Sequence, residues 1–84
     1  TVITYILNQD ADVTIQIYDL LGHLAWTKEC PKATNGGQIL LNDIVWDGKN
    51  DIGEYVSKGG YICRIVIKSD QGMKQIIRKI GVLH

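Results

Sequence analysis

The residues with the greatest chemical potential lie in one stretch, WDGKNDIGEYVSKGGY, at positions 46–61. Four of its side chains carry oxygens that a hard cation such as calcium could use, namely Asp47, Asn50, Asp51 and Glu54. The same stretch holds four glycines, which suit both a phosphate-binding loop and a tight turn. Three kinds of site therefore have to be compared here: a calcium loop, a phosphate cradle and a structural turn.

The spacing argues against two of these sites. An EF-hand requires oxygen ligands at its first, third and fifth positions and a glycine at its sixth. Counted from Asp47, the third residue is Lys49 and the glycine comes one position late, at Gly53. A calcium site of another kind in residues 47–54 stays open. A phosphate cradle needs a helix directly after the glycines, whereas the residues from Tyr61 onward alternate as in a strand.

A structural turn accounts for more of these residues. Trp46 can bury its ring while its indole N–H donates to a carbonyl, and Asp47 can accept hydrogen bonds from backbone N–H groups of the turn. Gly48 and Gly53 allow backbone angles that side chains disfavour, and Gly59-Gly60 lets the chain turn back into the strand at Tyr61. The sequence therefore predicts that the stretch is a fold-specific turn without a metal or cofactor.

Few other residues could support catalysis. A serine triad needs serine, histidine and an acid together, and the candidates are only Ser57, Ser69, His23 and His84. Zinc requires three or four closely spaced ligands, which two histidines and two scattered cysteines do not supply. The sequence predicts a protein that is not an enzyme.

The two cysteines allow three interpretations. In an exported protein an even number permits a disulfide, here between Cys30 and Cys63. The two side chains can equally be unpaired small hydrophobic residues. A nucleophilic pair of either cysteine with His23 is the third interpretation.

Composition limits the classes of partner. The chain has 84 residues, enough for one domain, and nine basic residues balance nine acidic ones. This balance gives no reason to expect nucleic acid or an anionic membrane as partner. No apolar run approaches the roughly 20 residues that span a bilayer, so no membrane insertion is predicted. The chain opens directly in a strand pattern without a signal peptide, which indicates a fragment of a longer protein.

Alternating apolar and polar residues recur along the chain, and helical periodicity does not. The predicted strands cover residues 2–7, 13–18, 24–29, 38–46, 61–68 and 73–83. Asp19 and Gly22 stand at the first and fourth positions of a type I turn. About seven short strands with regularly spaced turns predict an antiparallel β-sandwich.

Two surface features have alternative functions. Lys74, Arg78 and Lys79, with Lys68 opposite, form a basic strand end that either discourages edge pairing or faces a partner protein. Exposed aromatic residues could stack on sugars, although a tryptophan on a strand is more often part of a core. The aromatic candidates are Tyr18, Trp26 and Tyr55.

These pieces together resemble the FlgD-like immunoglobulin-like domain and the related C-terminal sorting domain of type IX-secreted bacterial proteins. The resemblance runs in order through ITYIL, VTIQIYDLLG, WDG, Asn50 with Gly53, Val56, Gly60-Tyr61 and KIGV, and covers almost the whole chain. The cysteines are not part of this pattern. The turn and core signature that it marks consists of Tyr18, Asp19, Gly22, Trp46, Asp47, Gly48, Asn50, Gly53, Gly60 and Tyr61.

The resemblance implies an immunoglobulin-like sandwich that is secreted or held at the bacterial cell surface. Such a domain sorts or attaches a larger exported protein, and its partners are the secretion or cell-surface machinery or neighbouring domains. The alternatives are a scaffold or spacer of the flagellar hook-cap kind and a carbohydrate-binding accessory module. A strict immunoglobulin order would carry the connection at residues 19–22 between the two sheets, whereas its tight turn favours a hairpin within one sheet.

Overall fold

The computed structural model describes residues 1–83 and is all-β. Its strands are β1 (Val2–Leu7), β2 (Asp12–Asp19), β3 (Leu24–Cys30), β4 (Leu40–Val45), β5 (Gly59–Ser69) and β6 (Gly72–Val82). They form two antiparallel sheets, a two-stranded sheet with the order β1-β4 and a four-stranded sheet with the order β3-β2-β5-β6. The part of the chain described has no helix that is long and apolar enough to cross a membrane.

One core joins the two sheets. The inward residues of β1 and β4 belong to the same buried cluster as those of β2 and β5, because side chains alternate between the two faces of each strand. The largest apolar side chains that are almost wholly buried are Trp46, Tyr5, Ile15, Ile17, Ile44, Ile65 and Val13. In β2 and β5 the buried residues follow the alternation of apolar and polar residues in the sequence.

The turn after β2 has the predicted form. The amide of Gly22 donates to the carbonyl oxygen of Asp19 at 3.1 Å, and Gly22 lies in the left-handed region with φ of 89°. The Asp19 carboxylate accepts from the amides of Leu21 and His23, both at 2.9 Å. A register shift between Ile17 and Tyr18 accompanies the turn. The hairpin lies within one sheet, as the turn chemistry indicated.

Two predictions about strands need correction. The described residues form six strands, not about seven. The strand predicted over residues 38–46 is shorter, because Leu40 takes a positive φ of 71° and interrupts the extended backbone. The side chain of Asn42 then bonds to the backbone of Gln38, which holds that residue in the preceding loop.

The disulfide that the cysteine count allowed is absent, and both cysteines are free and buried. Cys30 pairs with Val13 and Cys63 pairs with Ile17, on opposite sides of β2 and four residues apart along it. The Cα atoms of Cys30 and Cys63 are separated by two strand spacings across the sheet and by four residues along it. These two distances combine to roughly 16 Å. A disulfide requires a Cα separation below about 7 Å. The cysteines act as small hydrophobic core residues.

We expect both thiols in the native protein to react with Ellman's reagent at a rate roughly tenfold or more below that in the denatured protein. The reason is that only an accessible thiolate attacks the reagent. Burial raises the pKa of the Cys30 thiol and of the Cys63 thiol. Kinetics of the single variants Cys30→Ala and Cys63→Ala would assign each rate. Fast labelling of the native protein, or an intact mass two hydrogens too low, would contradict the buried free thiols.

Candidate functional site

The stretch between β4 and β5 is folded as a small hairpin. Lys49 and Tyr55 form an isolated antiparallel bridge, and the amide of Val56 donates to the carbonyl oxygen of Gly48 at 2.9 Å. The amide of Asn50 donates to the carbonyl oxygen of Glu54 at 2.8 Å inside this bridge. The segment therefore closes on itself and does not form an open cradle.

Polar side chains of this hairpin are bonded to its own backbone. The Asp47 carboxylate accepts from the amide of Lys49 at 3.0 Å. The Asn50 side-chain oxygen accepts from the amides of Ile52 at 3.1 Å and Glu54 at 2.9 Å. These bonds are typical of aspartate and asparagine in turns, where a side-chain oxygen replaces a backbone acceptor. Both side chains stabilise the turn.

Asp51 connects the hairpin to the neighbouring sheet. Its carboxylate accepts from the amide of Thr27 at 3.1 Å, and its own amide donates to the carbonyl oxygen of Ala25 at 3.2 Å. The hairpin thus covers the free edge of β3. Within residues 1–83 no three or more histidine, cysteine, aspartate or glutamate side chains are grouped so that they could hold a metal ion.

Trp46 is the centre of the apolar contacts below this hairpin. Its side chain is fully buried and its indole Nε1 donates to the carbonyl oxygen of Lys49 at 2.9 Å. The ring lies 6.1 Å from that of Trp26 and 5.8 Å from that of Tyr61, centroid to centroid, the second pair edge to face. The Tyr61 hydroxyl donates to the carbonyl oxygen of Ser57 at 2.7 Å. The aromatic cluster therefore ties the hairpin to the core.

Three glycines of the segment occupy the left-handed region that favours glycine. Gly48 has φ of 80°, Gly53 has φ of 85° and Gly59 has φ of 138°. Of the pair Gly59-Gly60, which was expected to turn the chain back into the strand, Gly59 has the positive φ and Gly60 does not. A side chain at Gly60 would instead lie against Leu20 at an ordinary contact distance of 3.5 Å.

Among the described residues, His23 does not come together with either cysteine. The His23 ring lies at the exposed turn after β2, with Nδ1 3.0 Å from the Asp19 carboxylate. Backbone donation from His23 contributes most to lowering the pKa of Asp19. The cysteines are enclosed in the core, so the structure forms no pair of Cys30 or Cys63 with this histidine. His84 lies outside the described residues.

The three aromatic candidates differ in exposure and in their partners. Trp26 is half-buried and packs against the core. The Tyr18 hydroxyl donates to the side chain of Gln16 at 3.1 Å. Tyr55 is exposed, with the Lys49 ammonium 5.0 Å from its ring centroid. A stacking platform needs several accessible rings together, and among the three only Tyr55 is fully exposed.

Sequence reasoning missed a buried polar contact around Asn42. This side chain is completely buried, and its oxygen accepts from the amide of Gly36 at 2.9 Å. Its nitrogen donates to the carbonyl oxygens of Gln38 at 2.8 Å and Leu40 at 3.2 Å. The alternation along β4 could have indicated this burial, because Asn42 stands two residues before Ile44 and so lies on the same inward face. A buried amide in this position must bond to backbone.

The two-stranded sheet carries an apolar outer face. Val2 lies opposite Val45 and Ile6 lies opposite Leu41. Their exposed fractions are 58 % for Val2, 70 % for Val45, 70 % for Ile6 and 54 % for Leu41. On the same face the polar pair Thr4 and Asp43 lies between these two apolar pairs, and the Thr4 hydroxyl donates to the Asp43 carboxylate at 2.7 Å. Exposed apolar residues grouped on one face often mark a contact surface for other macromolecules. We call these four residues the outer apolar face.

Comparison with known proteins gives no family. No protein-family model matches the chain, and a search of the curated proteins finds no match. The class of protein that the fold defines is thus an all-β protein with two antiparallel sheets around one core. The outer apolar face and the hairpin are the two surface features that bear on function.

Proposed function

We propose that the chain is an immunoglobulin-like module, and the strand order supports this assignment. In such a sandwich, strands B and E share one sheet, while C, F and G share the other, to which C′ adds in variable-type domains. Here β1 and β4 correspond to B and E, and β3, β2, β5 and β6 correspond to C′, C, F and G. The crossing between sheets then follows β1, and the hairpin after β2 is the C–C′ connection.

A hydrogen bond of Tyr61 supports the same assignment. Immunoglobulin-like sandwiches have a tyrosine near the start of strand F whose hydroxyl bonds to backbone a few residues upstream. Tyr61 stands near the start of β5 and donates to the carbonyl oxygen of Ser57. The tyrosine therefore fixes the corner between the proposed E and F strands. The buried tryptophan differs from the usual arrangement, because Trp46 follows β4 instead of standing on strand C.

The proposed role is contact between proteins without catalysis. The domain sorts a larger exported bacterial protein or attaches it at the cell surface, and the secretion or surface machinery is the partner. The observation that carries this role is the outer apolar face, whose four apolar residues are each more than half exposed. A scaffold or spacer domain would use the same face against neighbouring domains.

A fusion experiment tests the sorting role. The chain is placed after a signal peptide and a fluorescent reporter in a bacterium with type IX secretion, and in a secretion-deficient strain of it. We expect the reporter at the cell surface only in the strain with intact machinery. The double variant Leu41→Lys/Val45→Lys should lose delivery, because charges replace two residues of the outer apolar face.

A matched variant separates this face from general surface hydrophobicity. Ile77→Lys makes the same change at an exposed residue of the other sheet, and should still be delivered. A reporter retained in the periplasm of both strains would contradict sorting and leave the scaffold or spacer role. Loss of delivery in all variants, including Ile77→Lys, would contradict the assignment to the outer apolar face.

A further inference from the structure

The free edges of the two sheets differ in how they are covered. On the outer side of β4, the side chain of Asn35 donates to the carbonyl oxygen of Asp43 at 3.2 Å, and that of Gln38 donates to the carbonyl oxygen of Leu41 at 3.3 Å. Asp51 of the hairpin covers the edge of β3 in the same way. An uncovered edge is a template for pairing with another strand. Within residues 1–83, two of the four edges are therefore protected, and those of β1 and β6 are not.

The backbone of β1 is ready for such pairing. Thr1 and Trp46 exchange two hydrogen bonds, 2.8 Å and 3.1 Å long. In an antiparallel pair, residues that are hydrogen-bonded to the neighbouring strand alternate with residues that are not. Counted from Thr1, the backbone N–H and C=O groups of Val2, Thr4 and Ile6 therefore point away from β4. In residues 1–83, β1 pairs with β4 alone. Three N–H and three C=O groups thus line the free edge in register.

Two pockets lie along this edge between β1 and β6, and we call them together the cleft. Near one end it is lined by Ile6 and Leu7 of β1 together with Lys74 and Ile76 of β6. Near the other end Val2, Ile3 and Thr4 face residues 78–80 of β6. Together the two pockets border five of the six residues of β1, all except Tyr5. Its length suits a single extended strand of about five to seven residues.

The floor of the cleft is apolar and its charges have one sign. Ile76 and Ile80, on the inward face of β6, are only half-buried. The charged residues among those that line the cleft are Lys74, Arg78 and Lys79, and the lining of the described part includes no acidic residue. An occupant with alternating apolar and acidic side chains would complement both features.

We propose that this cleft binds an extended strand of a partner protein, which adds to β1 as the third strand of the smaller sheet. Backbone hydrogen bonds with Val2, Thr4 and Ile6 would give affinity. Side chains on the inward face of the added strand would contact Ile76 and Ile80, and an acidic side chain would pair with Arg78. This proposal goes beyond sorting or spacing and holds for either role.

A second copy of this chain does not have the required chemistry. Its uncovered edges are β1, which contains no charged residue, and β6, which contains Lys74, Arg78 and Lys79 but no acid. Insertion of either strand would leave the cations of the cleft unpaired, and β6 would add repulsion. The partner is therefore a different polypeptide segment with acidic residues.

A designed peptide tests the proposal. The probe is a blocked peptide of about nine residues, Ser-Thr-Val-Thr-Glu-Thr-Ile-Thr-Ser, which carries valine, glutamate and isoleucine on one face of a strand. Amide hydrogen exchange is followed by NMR with and without the peptide. At a peptide concentration ten times its Kd, exchange at Val2, Thr4 and Ile6 should slow about tenfold. The amides of Ile3 and Tyr5, which face β4, should change little.

Two controls distinguish strand addition from other binding. A peptide that is N-methylated at the amides facing β1 keeps every side chain but loses the backbone N–H donors. Its affinity should be roughly tenfold or more below that of the unmodified peptide. In the protein, Arg78→Glu should weaken binding about tenfold, whereas Lys68→Glu, outside the cleft, should not. Equal binding of both peptides would overturn strand addition.

Two further results would overturn the proposal. One is the absence of binding at about 1 mM peptide, which corresponds to a free energy weaker than about 4 kcal/mol. The other is protection of Val2, Thr4 and Ile6 without peptide, rising with protein concentration as sedimentation shows a dimer. That result would assign the cleft to a second copy. Delivery of the reporter fusion does not depend on this peptide, so the two proposals can fail separately.

Discussion

Replacing Gly37 with alanine should lower the free energy of unfolding by about 3 kcal/mol, because the new methyl group has no space. A Cβ at this position would lie 2.4 Å from the carbonyl oxygen of Pro31 and 2.5 Å from that of Ala11. Both contacts are with backbone, which cannot rotate away as a side chain can. The Gly37 carbonyl also accepts from the amides of Ala11 and Ala33, so a shift would weaken these bonds. Urea denaturation followed by tryptophan fluorescence measures the change.

Gly81→Ala is the matched control. Gly81 is in β6 with no positive φ, and nothing lies within 4 Å of the position of its missing Cβ. We expect its stability to change by less than about 1 kcal/mol, with a slight gain, because alanine restricts the unfolded chain. Similar losses in Gly37→Ala and Gly81→Ala would show that the close packing of the loop before β4 is not the cause.

Replacing Trp46 with alanine should lower the free energy of unfolding by about 4 kcal/mol, the middle of the range for large buried aromatic side chains. The change removes the ring between Trp26 and Tyr61 and leaves the carbonyl of Lys49 without its indole donor. Thermal unfolding by circular dichroism, with urea denaturation for the free energy, measures the loss. Trp46→Phe keeps most of the apolar contact, so it should cost less than Trp46→Ala.

Trp26→Ala tests whether burial sets this effect. Trp26 belongs to the same aromatic cluster but is only half-buried, so its removal should cost roughly half as much as that of Trp46. The opposite order, with the larger loss in Trp26→Ala, would contradict the central position of Trp46. Equal losses would show that the hairpin over the core contributes little through the buried ring.

The strands of this protein were predictable wherever local alternation continues without interruption. β1 has the predicted bounds, and β2, β3, β5 and β6 differ from the prediction by one or two residues at their ends. The turn at Asp19 to Gly22 was predictable for the same reason, because its hydrogen bonds join residues at most four apart. Such features depend on neighbouring residues and on the side-chain period of two.

The loop before β4 was harder to predict because distant residues hold it. The Asp10 side chain accepts from the amide of Ile39 at 2.7 Å, and that of Asp12 accepts from the amide of Lys32 at 2.9 Å. The Tyr5 hydroxyl donates to the carbonyl oxygen of Gly36 at 2.7 Å, and burial raises the pKa of this tyrosine. No local propensity specifies these contacts, which shorten the strand expected over residues 38–46.

The sequence by itself determined an all-β chain with alternating apolar and polar residues, the hairpin after β2 and the polar turn chemistry at Asp47. Only the tertiary structure decided that β1 pairs with β4, that Cys30 and Cys63 lie too far apart to bridge, and which sheet edges stay uncovered. The physical reason is distance along the chain. Alternation and turn chemistry act between near neighbours, whereas pairing joins residues as far apart as Thr1 and Trp46 and depends on how the whole core packs.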